Sequence, residues 1–317
     1  MGERRFKVAV VGATGAVGEA MLSILAARRF PASEVIALAS GRSAGGSVDF
    51  GDDELLVHEL SAFDPAGVDI ALFAAGGDVS KEHAPRFAAA GAVVIDNSSA
   101  FRQDQDVPLV VAEVNPDAAA QRPRGIIANP NCSTMQMVVA LAPIHRAVGI
   151  ERINVATYQS VSGAGRSALE ELGRQTGALL NFQGAAPERF PVQIAFNLIP
   201  HIDDFQDNGY TREEMKLVWE TRRILGDDSI QVNPTAVRVP VFYGHSEAVH
   251  IETREKIDAA TARRLLEAAP GVTVVDERKA GGYPTPVTHA SGSDAVFVGR
   301  IREDLSHPRG LDLWIVS

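Results

Sequence analysis

The sequence predicts an α/β fold in two parts: a doubly wound parallel sheet at the N-terminus, then an α+β domain with a mainly antiparallel sheet. Three observations predict it. A glycine-bounded apolar run passes directly into a helical pattern, and short apolar runs then alternate with helix-like stretches. Beyond Cys132 the strands lengthen and alternate polar with apolar residues.

The first run, Phe6–Val11, suits a strand buried on both faces, and residues 17–29 carry apolar positions at helical spacing, which starts a βαβ unit. Runs at 35–39, 68–74, 92–95, 109–112 and 125–128 read as further strands, with a helix over 79–90 between two of them. After Cys132 a helical segment extends to residue 148, followed by strands over 150–161, 230–240 and 245–253. Their alternation predicts a sheet covered by helices on one face. The domain boundary is placed near Asn131, giving domains 1–131 and 132–317, with no internal repeat and no low-complexity segment.

A length of 317 residues with 45% hydrophobic content suits two domains with two cores. The net charge of −10, without a dense Lys/Arg tract, argues against nucleic acid and anionic membranes as partners. The N-terminus enters a strand without an apolar signal region, and no apolar run approaches the roughly 20 residues of a membrane helix. One cysteine forms no intrachain disulfide, so a reducing cytoplasm is the expected compartment. No metal site is assigned.

Gly12-Ala13-Thr14-Gly15-Ala16-Val17-Gly18 follows the first strand and opens the first helix, the context a dinucleotide loop requires. Glycines there let the backbone approach a pyrophosphate, whose charge meets free N–H groups at the helix start. The spacing is G-x-x-G-x-x-G, and a plain tight turn is the alternative. After the second strand, where NAD enzymes commonly place an acidic residue, stands Ser40-Gly41-Arg42-Ser43. Ser40, Arg42 and Ser43 suit the 2′-phosphate of NADP, although a solvated Arg42 would read the same.

Asn129-Pro130-Asn131-Cys132-Ser133-Thr134 precedes a helical run, so Asn131 can cap the helix with Cys132 in its first turn. The unpaired N–H groups and dipole of a helix start stabilise a thiolate. A lone cysteine is more often a small buried hydrophobe, but its polar flanks and position favour a nucleophile.

Together, Gly12 to Gly18, Asp96-Asn97-Ser98-Ser99-Ala100-Phe101-Arg102, Asn129 to Thr134, Tyr158-Gln159-Ser160-Val161-Ser162-Gly163-Ala164-Gly165, and Arg238-Val239-Pro240-Val241-Phe242 before Gly244-His245-Ser246 carry a resemblance. In order, across nearly the whole chain, they resemble the aspartate-β-semialdehyde dehydrogenase family. The resemblance implies a Rossmann-like first domain, and reductive dephosphorylation of β-aspartyl phosphate to aspartate semialdehyde by NADPH, reversible with phosphate. It also implies a role in lysine (diaminopimelate), threonine, methionine and isoleucine biosynthesis, and a homodimer or tetramer.

By resemblance Cys132 forms the thioacyl enzyme, His245 is the acid/base, Gln159 orients the intermediate and Asn131 belongs to the active site. Sequence alone does not choose His245 among eight histidines. Arg238 is expected on the substrate carboxylate and Glu213 on its ammonium, with Lys216 and Arg102 on the phosphate. The Glu-x-x-Lys spacing equally fits a helix salt bridge. Thr211 to Glu214 has the form of a capping box, which assigns Glu214 to the helix start and leaves Glu213 for the substrate. Ser162 and Gly163 are expected against the nicotinamide.

The family pattern continues past the strand at residues 315–316 with an Asp-Asn-(Leu)-x-x-Gly-Ala segment and a helix returning to the first domain. The sequence ends at Ser317, and no residue is assigned from that segment. N-acetyl-glutamyl-phosphate reductases carry Gly before and Tyr after their cysteine, against Asn131 and Ser133 here. A malonyl-CoA reductase would lack Glu213, and a non-catalytic paralogue would lack Cys132 or His245.

Overall fold

The computed structural model describes residues 4–317; residues 1–3, part of the stretch read above as free of an export signal, lie outside the described residues. The chain divides into two compact units, the first running to Val110 and over Pro116–Pro130, the second comprising Val111–Asn115 and Asn131–Ser317.

The first unit is built from β1 (Phe6–Val11), α1 (Ala16–Ala27), β2 (Ala32–Ala39), β3 (Ser47–Phe50), β4 (Asp53–Glu59), β5 (Ile70–Phe73), α2 (Gly77–Ala89), β6 (Val93–Asp96) and β7 (Ile126–Ala128). Among the described residues they form a sheet in the order β3-β4-β2-β1-β5-β6-β7, parallel except for the β3/β4 pair. This is the predicted doubly wound arrangement. β1 lies between β2 and β5, so the order reverses there and opens a crevice at the carboxyl ends of the strands. The apolar runs are buried as expected: Val8 to Val11, Ala71, Phe73 and Val94 are almost without solvent contact. Leu22 of α1 and Phe87 of α2 are also fully buried, the latter edge-on to Phe73 with ring centroids 5.5 Å apart.

One expected strand is not formed. Residues 109–112 make a single parallel bridge, Leu109 to Ala128, and then turn at Val111, whose carbonyl accepts the Val114 N–H. The β3/β4 hairpin, by contrast, is absent from the sequence reading.

The second unit contains α3 (Cys132–Val148), β8 (Ile150–Gln159), α4 (Arg166–Leu180), α5 (Arg212–Leu225), β9 (Gln231–Arg238), β10 (Ser246–Thr253), α6 (Ala259–Glu267), β11 (Val272–Val274), β12 (Val296–Glu303) and β13 (Gly310–Val316). The sheet order is β11-β12-β13-β10-β8-β9, with the three central pairs antiparallel and the two outer pairs parallel. The predicted mainly antiparallel sheet is therefore present. Alternation fixes its inner face: Ile153, Val155, Thr157 and Gln159 of β8, with Val249 and Ile251 of β10 and Leu313 and Ile315 of β13, are all buried. α3 packs on this sheet and on α5 and α6. Residues Met137 to Ala142 of α3 are buried without interruption, the pattern of a helix enclosed on all sides.

Candidate active site

α3 begins where the sequence places it. Asn131 caps the helix, its side-chain oxygen accepting the N–H groups of Ser133 at 3.0 Å and Thr134 at 3.3 Å. Cys132 is exposed in the first turn while Asn131, Ser133 and Thr134 on either side are buried. A solvent-reachable thiol on a helix start is placed for reaction rather than packing.

The cap is itself held by α5. Asn131 Nδ2 donates to Glu213 Oε1 at 2.9 Å, and the Asn131 backbone N–H donates to Glu220 Oε2 at 2.6 Å. Glu213 and Glu220 stand seven residues apart, two turns along one helix face. Gln159, at the end of β8, donates from Nε2 to the same Glu213 oxygen at 3.2 Å. Lys216 Nζ reaches Glu213 Oε2 at 3.0 Å and Asp203 at 2.7 Å. Burial works to raise the Glu213 carboxyl, but Lys216, Asn131 and Gln159 together hold it below its usual range. Burial likewise opposes the Lys216 charge, while Glu213 and Asp203 raise its pKa above the ordinary value. The Thr211–Glu214 capping box is formed, so Glu214 serves the helix and Glu213 faces this cluster.

A second cluster converges on Ser160. Arg238 donates to the Ser160 carbonyl at 2.7 Å, and the Ser160 N–H donates to His245 Nδ1 at 3.1 Å. Because Nδ1 accepts, the neutral ring carries its proton on Nε2. Burial, reinforced by Arg238, pushes the His245 pKa down to about 4. Gly163 lies against both side chains: a Cβ there would come within 3.3 Å of Arg238 and of His245 Nε2. Burial lowers the Arg238 pKa, opposed by the nearby Glu213 carboxylate and by Cys132. Cys132, Ser162, His245 and Gln136 line one cavity of about 330 Å³.

Asn131, Cys132, Gln159, Glu213, Lys216, Arg238, His245, Ser162 and Gly163 thus lie in the second unit, most of them joined through these two clusters. Arg102 belongs to the first unit, where it is buried and donates to the Asn97 carbonyl at 2.9 Å. The sequence reading assigned no role to Ser160, Glu220 or Asp203. Glu220 had a usable signal in its seven-residue spacing from Glu213; Asp203, on a loop, had none.

The glycine loop is in the first unit, at the reversal of strand order. Gly12 has φ +83, and a Cβ on Gly18 would strike the Gly12 carbonyl oxygen at 2.2 Å, so loop and helix close to a distance only glycine permits. Gly15 caps α1 without a side-chain bond, which leaves the first N–H groups at Ala16 and Val17 to a ligand, beside Thr14. The turn bearing Ser40, Arg42 and Ser43 is adjacent, since Gly12 N–H donates to Leu38 of β2; Ser40 and Arg42 are exposed. This cradle fits a dinucleotide. Among the described residues no group of three or more His, Cys, Asp or Glu is gathered for a metal.

Two family models match the chain: "Semialdehyde dehydrogenase, NAD binding domain" over residues 7–122 and "Semialdehyde dehydrogenase, dimerisation domain" over residues 141–317. A Legionella pneumophila protein named aspartate-semialdehyde dehydrogenase is 61% identical over 317 residues, covering 99% of this chain and 91% of that one. The crystal structure of Vibrio cholerae aspartate semialdehyde dehydrogenase II complexed with ASA superposes with a TM-score of 0.97 at 56% identity, over 99% of this chain and 93% of that one. The Candida albicans aspartate semialdehyde dehydrogenase structure with NADP gives a TM-score of 0.77 at 25% identity, over 99% and 93% of the two chains. An oxidoreductase with a nicotinamide-dinucleotide domain and a dimerisation domain is the class these likenesses share, and the chain belongs to the aspartate-semialdehyde dehydrogenase family.

Proposed function

We propose that the protein catalyses the NADP-dependent reductive dephosphorylation of L-β-aspartyl phosphate to L-aspartate-4-semialdehyde, reversible with phosphate. One observation carries it: an exposed Cys132 on a helix start shares a cavity with a neutral His245, next to an organised set of fixed charges. The Cys132 thiolate attacks the acyl carbon and phosphate leaves with the bonding pair, forming a thioacyl enzyme. Bound NADPH supplies the hydride that reduces this carbon. His245 Nε2–H donates to the carbonyl oxygen as negative charge develops on it, and collapse of the C–S bond returns the thiolate and frees the aldehyde. The released phosphate takes up the one proton the balance requires.

Arg238 meets the substrate carboxylate and Glu213 its ammonium; Lys216 and Arg102 meet the phosphate, Gln159 orients the thioacyl group and Asn131 holds the cysteine turn. Gly12, Thr14, Gly15, Ala16 and Val17 hold the pyrophosphate, Ser40, Arg42 and Ser43 the 2′-phosphate, and Ser162 and Gly163 the nicotinamide side. The name of the Vibrio relative's ligand and the NADP of the Candida relative support the choice of substrate and cofactor. Two copies joined through the domain at residues 141–317 form the working unit, in the cytoplasm, at the branch towards lysine, threonine, methionine and isoleucine. The test is phosphate-dependent NADP reduction by the purified protein with aspartate semialdehyde; equal rates with N-acetyl-glutamate semialdehyde would overturn the substrate assignment.

A further inference from the structure

Beneath Cys132 and His245 lies a buried polar pair that this chemistry does not use. Gln136 follows Cys132 by four residues on α3, and Glu247 follows His245 by two at the start of β10. One helical turn and one strand repeat place each on the same face as its neighbour. Glu247 is 0% exposed and Gln136 4% exposed. Among the described residues neither carboxylate oxygen of Glu247 has an aligned hydrogen-bond partner, and neither does Gln136 Nε2, although the Gln136 amide lies close enough to act on the carboxyl. Across the sheet Glu247 has Thr157 on β8 and Ile315 on β13, and the Thr157 hydroxyl already accepts from Gln159 Nε2 at 3.2 Å.

An apolar residue at position 247 would remove the desolvation penalty, so stability alone gives no reason for a carboxyl there. Burial pushes it well above the ordinary carboxylate range, with the Gln136 amide acting against that shift. A neutral acid carries one donor and one acceptor, the complement of a primary amide.

We infer that Glu247, acting through Gln136, is a positioning residue that ties the first turns of α3 to β10 and so fixes Cys132 relative to His245. The inference rests on the proposed roles of those two residues. Its test is the pH dependence of Cys132 alkylation by iodoacetamide, which needs neither substrate nor cofactor and stands apart from the substrate assignment, alongside steady-state turnover of the same variants.

Glu247→Gln, which keeps a donor and an acceptor, is expected to retain kcat within about twofold. Glu247→Leu and Gln136→Leu are each expected to lower kcat about tenfold to a hundredfold with little change in KM, the scale of a misplacement near 1 Å. Both should also displace the pH midpoint of alkylation from that of the wild type, and the double variant should be no worse than either single one. Gln136→Leu keeps the test open should position 247 not tolerate leucine. Wild-type turnover and a wild-type alkylation profile in Glu247→Leu would overturn the inference. So would an equal loss in Glu247→Gln, or additive losses in the double variant.

Discussion

The Ser160 backbone N–H donates to His245 Nδ1 at 3.1 Å, and this bond decides which ring nitrogen carries the proton. With Nδ1 accepting, Nε2–H is left to face Gly163 and the cavity shared with Cys132. The Ser160 carbonyl meanwhile accepts from Arg238, so one residue orients both the ring and the guanidinium. In the proposed mechanism this tautomer lets His245 donate a hydrogen bond to a developing oxyanion without first being charged.

The pH dependence of stability should carry that signature. The His245 pKa falls from 6.5 to about 4, so the unfolded chain takes up the proton first. The stability held by the neutral ring is therefore full above pH 6.5 and is lost as pH falls from 6.5 to 4. The shift corresponds to roughly 3 kcal/mol. Denaturant titrations at pH 7.5 and pH 4 should show His245→Gln losing less stability than the wild type by about that amount. Equal losses in the two proteins would contradict a buried neutral ring.

Asn131 has two separable duties. Asn131→Ser keeps an oxygen to cap α3 but drops the bond to Glu213, whereas Asn131→Asp keeps the cap and sets a second carboxylate where Nδ2 now donates at 2.9 Å. Ser and Asp are comparable caps, with Ala worse by about 1 kcal/mol. Thermal unfolding near pH 7 should nevertheless rank Asp below Ser, the reverse of expectation for an isolated helix start. The opposite order would show that Glu213 does not govern this position.

Glu213→Gln removes the charge that Lys216 contacts at 3.0 Å while preserving shape and amide bonding. Lys216 keeps Asp203 at 2.7 Å, so the fold should lose only about 1–3 kcal/mol. The KM for aspartate semialdehyde should rise by roughly tenfold to a hundredfold, the value of one charged hydrogen bond to the substrate ammonium. An unchanged KM would remove Glu213 from the substrate site.

Arg42 is exposed in the turn after β2, the strand whose Leu38 carbonyl accepts the Gly12 N–H. Arg42→Ala should raise the KM for NADP by about tenfold or more and leave that for NAD nearly unchanged. Parallel changes for both cofactors would remove Arg42 from the 2′-phosphate.

Much of the fold was legible because its signals are local. The run at Phe6–Val11, the glycines after it and the Asn131 cap each announce their structure within a few residues. The β3/β4 hairpin was not, since Ser47–Phe50 and Asp53–Glu59 are short, charged and largely exposed and flank a turn at Gly51 and Asp52 that reads as loop. Residues 109–112 misled in the other direction: they have strand composition, but after one bridge at Leu109 the chain turns away at Val111. In the site, residue types could be read but their partners could not. Asn131 and Glu213 are 82 positions apart and Ser160 and His245 are 85 apart, spacings that no helical or strand period relates. Choosing His245 rather than His250 therefore needed the Gly-His-Ser context, and Ser160 emerged only when its two bonds were seen.

The most direct measurement is the rate of phosphate-dependent NADP reduction with aspartate semialdehyde by Cys132→Ala beside the wild type. Covalent catalysis by Cys132 predicts a loss of at least about a thousandfold in kcat, with the variant folded and binding NADP normally. Turnover by Cys132→Ala at the wild-type rate would contradict it.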